Sequence, residues 1–130
     1  MIPEKIYNIL VLEDNFGDFY LLKEYLEECL PYVNVVQMEH FKDLEEQNSI
    51  DTFDYIFLDM SLPDKSGEEL IQEVLNIAKT IPVIALTGFS DQSFSKKALE
   101  LGVTEYLLKD DLNSIELQNK IFDKENGILC

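Results

Sequence analysis

Two hydrophobic patterns alternate along the chain. Short, nearly continuous apolar runs cover Lys5 to Leu12, Val33 to Met38, Phe53 to Leu58, Ile81 to Leu86 and Val103 to Leu108, and they predict buried strands. Between them the apolar residues fall three and four apart, as on one face of a helix. From Phe16 to Leu30 that face carries Phe19, Leu22, Leu26, Cys29 and Leu30, and Pro31 stops it. Phe41 to Asn48 predicts a weak, polar helix with few anchors. Gly67 to Ala78 predicts a stronger one, with Leu70, Ile71, Val74, Leu75 and Ala78 toward the core. A fourth spans Asp91 to Leu101 and is ended by Gly102 as a C-terminal cap. The last begins at Asn113, whose pairing with Glu116 resembles a capping box.

Five strands in strict alternation with five helices predict an α/β fold. The expectation is a single doubly wound (βα)5 domain over residues 1–130, with right-handed crossovers. Its parallel five-stranded sheet has the flavodoxin-like order 2-1-3-4-5. In such sheets ligands bind beyond the carboxyl ends of the strands, near the switch point between strands 1 and 3.

Glu13 and Asp14 follow the first of those two strands, and Asp59 follows the other. Thr87 ends the run from Ile81, and Lys109 ends the run from Val103. Each has an ordinary explanation when taken singly. An Asp closing a strand is a turn former or helix cap, and a Glu-Asp pair before a helix caps it. Thr87-Gly88 can be a loop start, and one lysine among many is unremarkable. Together, at successive strand tips, they point to chemistry. Two carboxylates ~4 Å apart repel by roughly 4 kcal/mol at an effective dielectric of ~20. A divalent cation, raised pKa values or Lys109 must compensate. Carboxylate, carbonyl and water oxygens suit magnesium or manganese.

Acid pair, acid, hydroxyl and lysine in this order resemble the response-regulator receiver domain of two-component signalling, over nearly the whole chain. The resemblance implies that Asp59 is the nucleophile that accepts a phosphoryl group from a histidine kinase or histidine phosphotransfer protein. It implies that Asp14, Asp59 and the backbone carbonyl of Ser61 ligate Mg2+ (Mn2+ being possible), with Glu13 acting through water. Lys109 would neutralise charge on the transferred group, while Thr87 hydrogen-bonds a phosphoryl oxygen. Tyr106 would move with Thr87, changing the face formed by helix 4, strand 5 and helix 5, where a downstream protein or a second copy would bind. By strand alternation Tyr106 points to a different face from Leu107. Such a domain is a signalling switch rather than an enzyme; its only reactions are self-phosphoryl transfer and autodephosphorylation. One departure stands out. Most receivers follow the lysine with proline, often through a cis bond, whereas this chain has Asp110-Asp111. A cis bond without proline costs ~2.5–4 kcal/mol, leaving that loop's conformation open.

Composition narrows the setting. Net charge is −16, from 26 acids against 10 bases, which disfavours contact with DNA or RNA phosphates. No apolar stretch approaches the ~20 residues of a membrane span, and the N-terminus lacks the pattern of a secretory signal. Cys29 and Cys130 read as a buried thiol and a tail thiol, and His40 as a loop histidine. These features predict a cytoplasmic protein. Lys124 to Cys130 add no output domain, so the receiver acts alone or belongs to a longer hybrid kinase or regulator. Two other α/β classes fit less well. A haloacid-dehalogenase-like phosphatase needs a second Asp where Ser61 stands. A flavodoxin-type loop should cradle phosphate, but Glu13-Asp14-Asn15 would repel it. A degenerate receiver serving only as an interaction module is disfavoured by the intact Asp14, Asp59, Thr87 and Lys109.

Overall fold

A computed structural model of the chain describes residues 5–88 and 92–122. The apolar runs form β1 (Tyr7–Leu12), β2 (Val33–Met38), β3 (Tyr55–Asp59), β4 (Val83–Thr87) and β5 (Glu105–Leu108). All pair in parallel, in the order β2-β1-β3-β4-β5. Between and after them lie α1 (Phe16–Cys29), α2 (Phe41–Glu45), α3 (Gly67–Ala78), α4 (Gln92–Leu101) and α5 (Ser114–Leu117). The expected (βα)5 fold and strand order are therefore observed.

Because side chains alternate along a strand, the sheet separates two cores. Ile9, Val11, Phe57, Ile84 and Leu107 pack with Leu22 and Leu26 of α1 and Leu117 of α5. Leu10, Leu12, Ile56, Leu58 and Tyr106 pack with Leu44 of α2, Leu70 and Val74 of α3 and Ala98 of α4. Thus α1 and α5 cover one face, and α2, α3 and α4 the other.

Several boundaries differ from expectation for local reasons. β1 starts at Tyr7 rather than Lys5, and β5 at Glu105 rather than Val103. α1 ends at Cys29, with Leu30 extended ahead of Pro31. α2 stops at Glu45 rather than Asn48, and a 3-10 turn follows at Ile50–Thr52. Only Phe41 and Leu44 anchor α2, and Gln47-Asn48-Ser49 supply no apolar contact. Its N-terminal end is held from elsewhere: the Asp64 carboxylate accepts from the N–H groups of Phe41 (2.9 Å) and Lys42 (3.0 Å). Leu75 is half-buried and packs against the rim of this core. Asn113 caps α5 by accepting from the Glu116 N–H at 2.8 Å, and the helix continues as a π turn over Gln118–Phe122. Gly102, which ends α4, has φ 124°. The expected helix start at Asp91 and the readings of Met1–Glu4 and Lys124–Cys130 lie outside the described residues. Among the described residues, no helix is long and apolar enough to cross a membrane.

Candidate functional site

Leu12 of β1 stands opposite Leu58 of β3, so Glu13 and Asp59, one residue further on, emerge side by side at the carboxyl edge. Carboxylate oxygens of Glu13, Asp14 and Asp59 all lie within 4.8 Å of one another. Glu13 and Asp59 are buried, whereas Asp14 is exposed and opens the cluster to solvent. The backbone beneath them is fixed. The Glu13 N–H donates to the Met38 carbonyl at 3.0 Å, and Gln37 Nε2 donates to the Glu13 carbonyl at 2.8 Å. Beyond Asp59, the Met60 N–H donates to the Leu86 carbonyl at 3.1 Å, and the Ser61 N–H points at Asp59 Oδ1 at 3.4 Å. A bridge between Ser61 and Ser66 closes this loop before α3.

Strand alternation then decides which groups meet. Glu13 shares the parity of Val11, Asp59 that of Phe57, and Lys109 that of Leu107, so all three lean toward the α1 face. The Lys109 ammonium reaches Glu13 Oε1 at 2.6 Å and Asp59 Oδ1 at 3.5 Å. It also reaches Asp18 Oδ2, from the first turn of α1, at 2.9 Å. Asp18 was not among the residues singled out from the sequence. Its signal was an acid in the first turn of the helix that directly follows the Glu13-Asp14 tip.

The electrostatics follow from burial. Loss of water pushes the Glu13 carboxyl up to about 7; its bond with Lys109 opposes that rise and the nearby Asp59 adds to it. Burial also disfavours the Lys109 ammonium. Its hydrogen bonds to Glu13 and Asp18 and the charge of Asp59 outweigh this and hold it above the usual lysine range. Glu13, Asp14 and Asp59 offer only oxygen atoms, close together and open on the Asp14 side. This donor set fits a hard divalent cation.

Thr87 and Tyr106 lie on the opposite parity. Thr87 is buried one residue beyond Leu86, which faces Asp59 across the β3–β4 pair. Tyr106 pairs with Ala85, and its ring packs in the core under α3 and α4 while Leu107 packs under α1, as alternation predicts. Ser61, Thr87, Phe94 and Tyr106 border a shared cavity of about 250 Å3. The site is thus two compartments on either side of the sheet edge, joined at Asp59–Ser61 and Leu86–Thr87. Lys109–Asp111 forms a 3-10 turn, and no described peptide bond is cis, the Lys109–Asp110 bond included. His40 precedes α2 with its Nδ1 3.7 Å from Asp43. Cys29 is buried, its thiol donating to the Ser114 carbonyl at 2.8 Å.

Comparison with known proteins identifies the family to which the fold belongs. The family model for the response regulator receiver domain matches residues 9–122. The transcriptional regulatory protein CrdR of Helicobacter pylori is 32% identical over 124 residues, covering 92% of this chain and 56% of that protein. KdpE of Staphylococcus aureus, also a transcriptional regulatory protein, is 33% identical over 113 residues, covering 87% of this chain and 47% of its own length. The chain therefore spans about half the length of the curated relatives it matches. Among solved structures, the BeF3-activated receiver domain of Klebsiella pneumoniae RstA superposes with a TM-score of 0.74 at 26% identity, covering 86% of this chain and 93% of that one. On sequence and fold alike, the chain belongs to the response regulator receiver family, the signalling domains of two-component systems.

Proposed function

We propose that Asp59 is the phosphoacceptor of this receiver, taking its phosphoryl group from a phosphohistidine on a histidine kinase or histidine phosphotransfer protein. The observation that carries this reading is the position of Asp59. It is buried at the tip of β3, with carboxylate oxygens of Glu13 and Asp14 within 4.8 Å and the Lys109 ammonium, itself bound to Glu13, at 3.5 Å. An Asp59 carboxylate oxygen forms the new O–P bond as the P–N bond breaks. The imidazole leaves with the bonding pair and takes up a proton. Lys109 supplies positive charge beside the phosphoryl oxygens, and the Thr87 hydroxyl can donate to one of them. Asp14 and Asp59, together with the Ser61 carbonyl, would hold magnesium or manganese, with Glu13 acting through water. When bound, that cation neutralises charge on the transferred group.

The switch follows from the second compartment. A phosphoryl group adds about −1.5 to −2 charge and new acceptor oxygens. Drawing Thr87 toward it reshapes the cavity that Thr87 shares with Tyr106, and so the face formed by α4, β5 and α5. That face would then engage a downstream protein or a second copy. Intact mass after incubation with acetyl phosphate and Mg2+ tests the reading: one added phosphoryl group is expected, and an unchanged mass overturns it.

A further inference from the structure

We infer that Asp18 is a positioning residue that draws the Lys109 ammonium away from Asp59 and thereby restrains phosphoryl uptake. The inference rests on the reading of Asp59 as phosphoacceptor. An ammonium has three hydrogens to share. In this structure Glu13 and Asp18 take the short contacts, 2.6 and 2.9 Å, and Asp59 the long one, 3.5 Å. Asp18 stands apart from the Glu13, Asp14 and Asp59 cluster and approaches from a different element. Its backbone is fixed, because its N–H donates to the Asn15 side chain that caps α1 at 2.9 Å. The carboxylate is therefore delivered to Lys109 by a rigid helix end rather than by a loop.

The chemistry gives that contact a direction. A phosphoryl group on Asp59 presents strong acceptors to the same ammonium and adds negative charge beside it. Asp18 competes for one of the Lys109 hydrogens and repels the arriving charge. It is also the outer member of the group: its side chain is 42% exposed, against 18% for Lys109 and 2% for Glu13. A cavity of about 280 Å3, bordered by Asp18, Tyr25, Lys109 and Leu112, gives the ammonium room to turn. Neutralising Asp18 frees Lys109 for Asp59 without touching the cluster that would hold the cation.

The test is the rate of phosphoryl uptake from acetyl phosphate with Mg2+, followed by intact mass. Asp18→Asn keeps the shape and removes the charge; for a partly exposed pair it should speed uptake about threefold. Asp18→Glu, which restores the charge, should return the rate to that of the unaltered protein. In metal-free, unphosphorylated protein, the side-chain ammonium resonance of Lys109 should shift in Asp18→Asn and not in Asp18→Glu. Uptake by Asp18→Asn that is equal to or slower than that of the unaltered protein overturns the inference while leaving the phosphoacceptor reading intact. No uptake by the unaltered protein overturns both.

Discussion

The Lys109 ammonium lies 2.6 Å from Glu13 Oε1, although the two residues follow strands β5 and β1, between which β3 and β4 intervene. The lysine spans the carboxyl edge of the sheet and ties its two sides together across the tips of the intervening strands. Even with this partner, burial leaves the Glu13 carboxyl pushed up to about 7.

That shift has a definite sign in stability. The folded value lies above the ordinary 4.5, so between about pH 4.5 and 7 the folded protein holds a proton that the unfolded chain has lost. The contribution of Glu13 is fully present below pH 4.5 and is lost as pH rises to 7, by an amount on the order of 3 kcal/mol. Urea denaturation of the metal-free protein across this window should show a steeper decline than in Glu13→Gln. Parallel curves for the two proteins would show that Glu13 titrates normally.

A divalent cation should stabilise the fold through the same acids. Mg2+ at a hundred times its dissociation constant should add about 2.7 kcal/mol by mass action, read as a rise in melting temperature. Asp14→Ala should lose most of that rise, because it removes one of the three clustered carboxylates at an exposed position where the substitution buries nothing. An equal rise in both proteins would place the cation elsewhere.

Gly102 is a structural test independent of the site. Its φ of 124° is one that side chains rarely adopt, and an added Cβ would stand 3.4 Å from Leu75 Cδ1. Gly102→Ala should cost about 1–3 kcal/mol in chemical denaturation. An unchanged midpoint would contradict the observed end of α4.

Thr87→Ala should still accept a phosphoryl group but should transmit it poorly. The check is NMR shift changes on α4, β5 and α5 with and without a stable phosphoryl mimic, in the unaltered protein and in the variant. Equal changes in both would mean that Thr87 is not the relay.

How far the residues alone carried the reading differs by element. The strand order and the meeting of Glu13 with Asp59 were legible because buried parallel strands carry continuous apolar runs that end abruptly in polar residues. The opposite facing of Tyr106 and Leu107 was legible from simple alternation. Asp18 was not, because an acid in the first turn of a helix is ordinary. Only the shared parity of Glu13, Asp59 and Lys109, read against the α1 face, marks it. The end of α2 was missed because periodicity in a polar segment continues on paper after its last anchor, Leu44. The Lys109–Asp110 bond was left open by the missing proline; the 3-10 turn accommodates Asp110-Asp111 with a trans peptide.

The most direct test of the central claim locates the phosphoryl group. After acetyl phosphate treatment with Mg2+, borohydride reduction converts an aspartyl phosphate to homoserine, which peptide mass mapping can place. Homoserine should appear at position 59 alone, and none should appear in Asp59→Asn. Homoserine at another aspartate, or phosphoryl uptake by Asp59→Asn at the rate of the unaltered protein, would contradict the account.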